Sequence, residues 1–146
     1  MYTTILVPLD GSPRAESILP YVEKLALENK SKVIFLSVLP VSEFTKHTDA
    51  FHDIIDGFKH RKEEITEYLA GVQQGFQDKE IDAICIIEYG AVVETIITVA
   101  QRENADLIAI ASHGRSGLSW VFYGSVSAGV LQRIDRPLLL IRSRNI

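Results

Sequence analysis

The chain has 146 residues, of which 47% are hydrophobic, and its formal net charge is −4. This length fits one domain, residues 1–146, with a core of its own. The negative charge argues against nucleic acid or an anionic membrane as a main partner, because both attract basic surfaces. No apolar run approaches the roughly 20 residues of a membrane span, so we expect no membrane association.

Five short runs rich in Val, Ile and Leu predict five β-strands. Their residue ranges are 4–9, 33–39, 83–88, 107–111 and 138–141. Because the runs are almost continuously apolar, each strand should be buried on both faces, as in a parallel sheet between two helix layers. The chain opens directly with the strand pattern Tyr2-Thr3-Thr4-Ile5-Leu6-Val7, without the basic and apolar leader of a secreted protein. We therefore expect a cytoplasmic protein.

Apolar residues at helical spacing between these strands predict four helices. The first has Ser12 as its N-cap, Pro13 at its first position, and Pro20 as an interior residue that removes one backbone hydrogen bond. The polar segment 41–52 is predicted to be a mobile connection before a long second helix. The apolar faces of the third and fourth helices are predicted to be Val93, Ile96, Ile97 and Ala100, and Val126, Val130, Leu131 and Ile134.

Strands and helices alternate along the chain, which predicts an α/β fold. With right-handed crossovers this order gives a doubly wound five-stranded parallel sheet with helices on both faces. In such sheets ligands bind beyond the carboxyl ends of the strands, at the point where the strand order reverses.

Glycine-rich turns follow the fourth predicted strand, in Ile110-Ala111-Ser112-His113-Gly114-Arg115-Ser116-Gly117, and Gly124-Ser125 comes shortly after them. Free N–H groups at the start of a helix favour an anion, and glycine lets the backbone approach it closely. The chain has neither a G-x-x-x-x-G-K-[ST] phosphate loop nor a G-x-G-x-x-G fingerprint after its first strand. The loop therefore belongs to another class of phosphate site.

Together with the N-terminal Ile5-Leu6-Val7-Pro8-Leu9-Asp10-Gly11-Ser12, this loop resembles the universal stress protein family. ATP-binding members of that family carry G-x2-G-x9-G-[ST] after the fourth strand. The resemblance extends from Ile5 to Arg142. Three of the four motif positions match and the first holds alanine, which ordinary strand angles would tolerate. The four positions are Ala111, Gly114, Gly124 and Ser125.

The resemblance implies the strand order 3-2-1-4-5 and ATP as the ligand, with any Mg²⁺ arriving on the nucleotide. It also implies that Asp10 accepts hydrogen bonds from ribose hydroxyls or the adenine edge. The alternative for Asp10 is an Asx-turn or a helix cap. The implied apolar walls of the adenine site, which would otherwise be core residues, are Pro8, Val38 and Ile110.

The fourth helix opens with Gly124-Ser125-Val126-Ser127. The resemblance places the β- and γ-phosphates on its free N–H groups, assisted by the hydroxyls of Ser125 and Ser127. The alternative is that Ser125 only caps the helix, and the two roles are compatible. His113 and Arg115 lie in the loop that the phosphates would pass, where their charge fits pairing better than proton transfer.

Three other kinds of site are disfavoured. A hydrolytic triad of Ser112, His113 and Asp10 would need adjacent residues to reach each other, and the chain has no G-x-S-x-G elbow. A phosphoacceptor Asp10 of the response-regulator type would need a neighbouring acidic pair and a lysine after the last strand, and neither is present. The histidines do not have the spacing of metal ligands.

These observations predict a nucleotide-dependent regulatory or protective module of the stress response. Hydrolysis should be negligible or very slow, because no residue near the phosphates is evidently a general base held by a partner. Two alternatives stay open. One is a slow ATP hydrolase, and the other is a protein of the same fold that binds no nucleotide and acts through protein partners.

The fifth strand, Leu138-Leu139-Leu140-Ile141, is an edge in the implied strand order. An edge strand exposes unpaired N–H and C=O groups unless another segment covers it. Two copies can pair their edges about a two-fold axis, and the family resemblance points to the same surface. We therefore expect a homodimer built on this strand.

Overall fold

The computed structural model describes residues 1–40, 51–113 and 124–143 and has a five-stranded, all-parallel sheet. The strand order is β3-β2-β1-β4-β5, which confirms the predicted doubly wound α/β fold and the implied order. Every predicted strand is present, with ends that differ by at most two residues. The strands are β1 (Thr4–Pro8), β2 (Lys32–Leu39), β3 (Asp82–Tyr89), β4 (Leu107–His113) and β5 (Leu138–Ser143).

Five helices are present in the described residues, because the first predicted helix is divided in two. Pro20 has no N–H to donate to the carbonyl of Glu16, and the bonds from Ser17 and Ile18 reach back only three residues. Ser12 caps the first piece, as predicted, by accepting from the N–H of Ala15 at 3.2 Å. The helices are α1 (Pro13–Glu16), α2 (Leu19–Asn29), α3 (Phe51–Gln77), α4 (Val92–Arg102) and α5 (Gly124–Arg133).

The start of α3 corrects the predicted connection at 41–52, since Phe51 and His52 are already helical. Residues 41–50 of that connection lie outside the described residues. In α5, the predicted apolar face is wrong at Leu131, whose side chain is 44% exposed. Val130 is buried, as predicted, and the helix also buries Ser127. Leu131 lies about 100° around the axis from Val130.

Two apolar clusters cover the two faces of the sheet. The first lies against α2 and α3, where Phe35 of β2 meets Phe76 of α3 edge to face, with ring centroids 4.9 Å apart. The second lies against α4 and α5 and includes Ile96 and Val130. The helix layers on opposite faces bury the sheet on both sides, as its continuous apolar runs predict.

The central strand β1 is held at both ends by polar contacts. At its start, the Asp106 carboxylate accepts from the N–H and hydroxyl of Thr3, both at 2.9 Å, and from the N–H of Thr4 at 3.0 Å. Burial alone would raise the pKa of Asp106, but these hydrogen bonds outweigh it and lower that pKa. Beyond its end, the buried Ser37 hydroxyl donates to the carbonyl of Leu9.

Helices α4 and α5 approach each other closely at Gly129. A Cβ atom at this position would lie 2.7 Å from one methyl carbon of Val93 and 3.1 Å from the other. Val93 is β-branched, so its side chain has little rotational freedom to move away. Among the described residues, no helix is long and apolar enough to cross a bilayer.

We predict that Gly129→Ala lowers the free energy of unfolding by about 1 kcal/mol, because overpacking against Val93 exceeds the helix-propensity gain. In a Val93→Ala background the same change should stabilise the protein by up to about 1 kcal/mol. Urea unfolding of the double-mutant cycle measures both values. The control is Gly75→Ala in α3, where the added Cβ meets nothing within 4 Å. Destabilisation by Gly129→Ala in both backgrounds would contradict the assigned contact.

The Asp106 carboxylate generates a pH-dependent prediction. At neutral pH, Asp106→Asn should lower the free energy of unfolding by about 1.5–3 kcal/mol, the range for hydrogen bonds to a charged group. Since the folded pKa is depressed, this contribution is complete above the unfolded pKa of about 3.9 and is lost as pH falls through the folded pKa. Urea unfolding at several pH values, with the exposed Asp82→Asn as control, should show the difference shrinking in acid. A constant difference would refute the prediction.

Candidate functional site

A cleft of about 470 Å³ lies beyond the carboxyl ends of β1, β2 and β4. Its walls come from both faces of the sheet, with Ala15 of α1 and Ile65 of α3 on one face and Val92 and Ile96 of α4 on the other. The strand order reverses between β1 and β4. The cleft therefore lies where an open parallel sheet binds its ligands.

The cleft brings together most of the site residues predicted from the sequence. Gly124 begins α5 and His113 ends β4, so each is next along the chain to a residue of the cleft wall, Ser125 and Ser112 respectively. Gly114 and Arg115 lie outside the described residues, and their predicted contacts with phosphate stay predictions. The predicted residues that line the cleft are Pro8, Asp10, Val38, Ile110, Ala111, Ser125, Val126 and Ser127.

The apolar part of the wall comes from strand ends. Pro8 ends β1, Val38 lies near the end of β2, and Ile110 lies in β4, where it is 5% exposed. Ala111, at the position of the first motif glycine, also belongs to β4. It is not among the described residues with positive φ, and its side chain joins the cluster beneath α2 and α3. The backbone at this position therefore does not require glycine.

Asp10 lies in a tight turn at the end of β1. Its Oδ1 accepts from the N–H of Ser12 at 2.9 Å, which is the Asx-turn that the sequence offered as the alternative role. Gly11 between them has a φ of +88°, a left-handed conformation that favours glycine. The Asp10 side chain remains 59% exposed. A carboxylate has about four lone-pair sites, so the turn leaves acceptor capacity for a ligand.

Two arginines that were not predicted as site residues also line the cleft. Arg14 of α1 places Nη2 3.7 Å from Oδ2 of Asp10. Arg61 of α3 donates from Nη2 to the backbone carbonyl of Asp10 at 3.3 Å. The described charged groups of the wall are therefore two guanidinium groups and one carboxylate, a balance that favours an anionic ligand.

The first turn of α5 borders the opposite side of the cleft. The first N–H groups of a helix have no partner within it and favour an anion. The Ser125 side chain is exposed. Ser127 is 4% exposed, and its hydroxyl donates to the carbonyl of Ala111 at 3.4 Å. With that proton engaged, the backbone N–H is the better placed donor of Ser127.

Tyr68 of α3 is not one of the residues that line the cleft, but the charge of Asp10 acts on it. Burial raises the pKa of Tyr68, and the negative charges of Glu16 and Asp10 raise it further, so this phenol stays protonated. No group of three His, Cys, Asp or Glu residues in ranges 1–40, 51–113 and 124–143 is arranged to hold a metal ion. The described residues of the cleft wall offer hydrogen bonds, charge and apolar contact to a ligand.

Comparison with known proteins gives a consistent result. The sequence model of the universal stress protein family matches residues 1–142. Universal stress protein MJ0577 from Methanocaldococcus jannaschii is 28% identical over 159 residues, covering 99% of this chain and 98% of that protein. A solved structure of MJ0577 superposes with a TM-score of 0.87 at 27% identity, covering 100% of this chain and 99% of the other.

Two solved structures with lower identity share the fold and contain nucleotides. One is a universal stress protein in complex with cAMP, with 19% identity, a TM-score of 0.65 and 97% of both chains covered. The other is the universal stress protein from Archaeoglobus fulgidus in complex with dAMP, with 21% identity and a TM-score of 0.68. That comparison covers 97% of this chain and 98% of the other. At these identities the likeness establishes the fold alone.

Proposed function

The chain belongs to the universal stress protein family, and we propose that its cleft binds an adenine nucleotide, ATP in particular. Nucleotide occupancy would regulate a protective response in the cytoplasm. The observation that carries this proposal is one cleft with three kinds of wall: strand-end apolar residues, the Asp10 carboxylate and the first turn of α5. A base, a ribose and a phosphate chain need these three environments.

The size and charge of the cleft support this assignment. Its volume of about 470 Å³ falls in the range of roughly 300–1,000 Å³ typical of small-molecule sites. Pro8, Val38 and Ile110 offer an apolar surface to the adenine ring, and Asp10 offers acceptors to the ribose hydroxyls. The relatives in complex with cAMP and dAMP indicate that this fold can hold adenine nucleotides.

The phosphates would lie on the first turn of α5. Ser125, Val126 and Ser127 line the cleft there, and their backbone N–H groups belong to the unpaired set at the helix start. Because the described residues include no cluster of metal ligands, any Mg²⁺ would be held mainly by phosphate oxygens and water. ATP, with its three phosphates, makes the fullest use of this surface.

We predict that ATP binds to the wild-type protein and that Gly124→Val weakens the binding at least about tenfold, because a branched side chain would occupy the turn that the phosphates approach. Calorimetry with and without Mg²⁺ measures the effect. Gly75→Val is the matched control, since Gly75 lies in α3 with open space around it. Equal binding by Gly124→Val would refute the phosphate site.

The same preparations separate the two alternative functions. Absence of adenine-nucleotide binding at millimolar concentration would favour a protein that acts only through protein partners. Turnover near the ~1 s⁻¹ of ordinary enzymes, lost in His113→Ala, would favour an ATP hydrolase. We expect binding without such turnover.

We also propose a homodimer built on β5, because the two edges of the sheet differ. At the β3 edge, the carbonyl of Ala83 accepts from the side-chain amides of Gln73 at 2.8 Å and Gln77 at 3.4 Å, both from α3. Among the strands of residues 1–40, 51–113 and 124–143, β5 pairs with β4 alone, and Leu138, Leu139, Leu140 and Ile141 are all half-buried. A second copy paired along β5 would cover these residues.

We predict that light scattering gives a mass near twice the 16.3 kDa of one chain. Leu140→Lys should shift the protein toward monomer, because it places a charge in the proposed contact. The control is Leu131→Lys, at an exposed leucine of α5 that lies outside this edge. A monomeric wild type would exclude the dimer, and an unchanged dimer in Leu140→Lys would place its interface elsewhere.

A further inference from the structure

Arg61 carries a positive charge that the described part of the protein does not neutralise. It lies on α3 and lines the cleft, and its Nη2 donates to the neutral backbone carbonyl of Asp10 at 3.3 Å. Within residues 1–40, 51–113 and 124–143 it forms no ion pair with a carboxylate. A guanidinium has five N–H donors in a planar fork, so this contact leaves donors for a ligand.

The neighbouring carboxylate already has its own charged partner. Oδ2 of Asp10 lies 3.7 Å from Nη2 of Arg14, and Oδ1 accepts from the N–H of Ser12. Arg14 therefore offsets the charge of Asp10, and the charge of Arg61 is in excess. Among the residues that line the cleft, an anionic ligand group beside Asp10 would meet two positive charges and one negative charge.

This excess charge is on the side of the cleft opposite to the proposed phosphate site. Arg61 comes from α3, which packs on one face of the sheet, whereas Ser125–Ser127 come from α5 on the other face. The cleft thus has two regions that favour an anion. A nucleotide with phosphates only on its 5′ side can place them in one region and leaves the other unmatched.

The position of Asp10 suggests which ligand atoms would reach Arg61. In dinucleotide sites an acidic residue binds a ribose hydroxyl, whereas a nearby arginine accommodates a phosphate at that position. Here an acidic residue and an arginine are in direct contact. If Asp10 faces the ribose, Arg61 lies beside the 2′ and 3′ positions.

We propose that Arg61 contacts a phosphate on the 2′ or 3′ oxygen of the ribose, so that the cleft prefers adenine nucleotides with two separated phosphate groups. This inference rests on the proposed binding of adenine nucleotides and names the class that binds best. Arg61 is the specificity-determining residue, and Arg14 keeps the Asp10 charge from repelling the added phosphate.

Calorimetry at constant ionic strength tests this with AMP, adenosine 3′,5′-bisphosphate and adenosine 2′,5′-bisphosphate. At least one bisphosphate should bind to the wild type about tenfold or more tightly than AMP, as a charge-assisted contact requires. The isomer with the lower dissociation constant identifies which ribose oxygen, 2′ or 3′, carries the phosphate that Arg61 contacts. In Arg61→Gln the ratio of the AMP and bisphosphate dissociation constants should fall to near one.

Lys62→Gln is the matched control, because it removes an equal charge from the exposed adjacent position outside the cleft wall. It should keep the wild-type ratio, and circular dichroism should show that both variants are folded. The inference is refuted if neither bisphosphate is preferred over AMP, or if the preference survives in Arg61→Gln. Binding of AMP or ATP without that preference would leave the proposed function intact, whereas no binding of any of these nucleotides would refute both.

Discussion

The position of β1 at the centre of the sheet is the constraint on which the site depends. From β1 the chain moves outward through β2 to β3, with α2 and α3 on one face, and then returns to β4 and β5 with α4 and α5 on the other. The connections leave β1 and β4 in opposite directions, which opens a crevice at the carboxyl ends of these two strands. The cleft is the space left by this reversal.

The strands were predictable because their signal is local and strong. A short continuous run of Val, Ile and Leu is typical of a strand in a buried parallel sheet, and all five predicted runs form strands of this sheet. The break between α1 and α2 was less predictable, since apolar spacing continues across it and only the missing N–H of Pro20 marks it. The exposure of Leu131 depends on how α5 is rotated against α4, which no local pattern specifies.

Some residues of the site were predictable from the sequence next to them, whereas others depend on contacts between distant parts of the chain. Asp10 and Ser125 were predictable because each lies next to a strand end or a helix start, where ligands approach an open sheet. Arg61 was not predictable as a site residue, because it lies 51 residues along the chain from Asp10, whose backbone carbonyl it contacts. Its neighbours from Lys59 to Glu64 form a charged run that is typical of a solvated helix face. The four-residue spacing of Asp10 and Arg14 is a local signal for a cation at this wall.

The charged residues of the cleft wall sum to a positive charge, whereas the whole chain has a negative net charge. The two are compatible because exposed charges act only over short distances in salt solution. The net charge of −4 is spread over a surface of 8521 Å², and solvent screens exposed charges beyond about 8 Å at physiological ionic strength. A small anion inside the cleft therefore responds mainly to Arg14, Arg61 and the first turn of α5. A long polyanion such as nucleic acid would instead meet the acidic surface. The same chain can thus favour a small anion and disfavour a large one, because Arg14 and Arg61 both line the cleft whereas the chain as a whole is acidic.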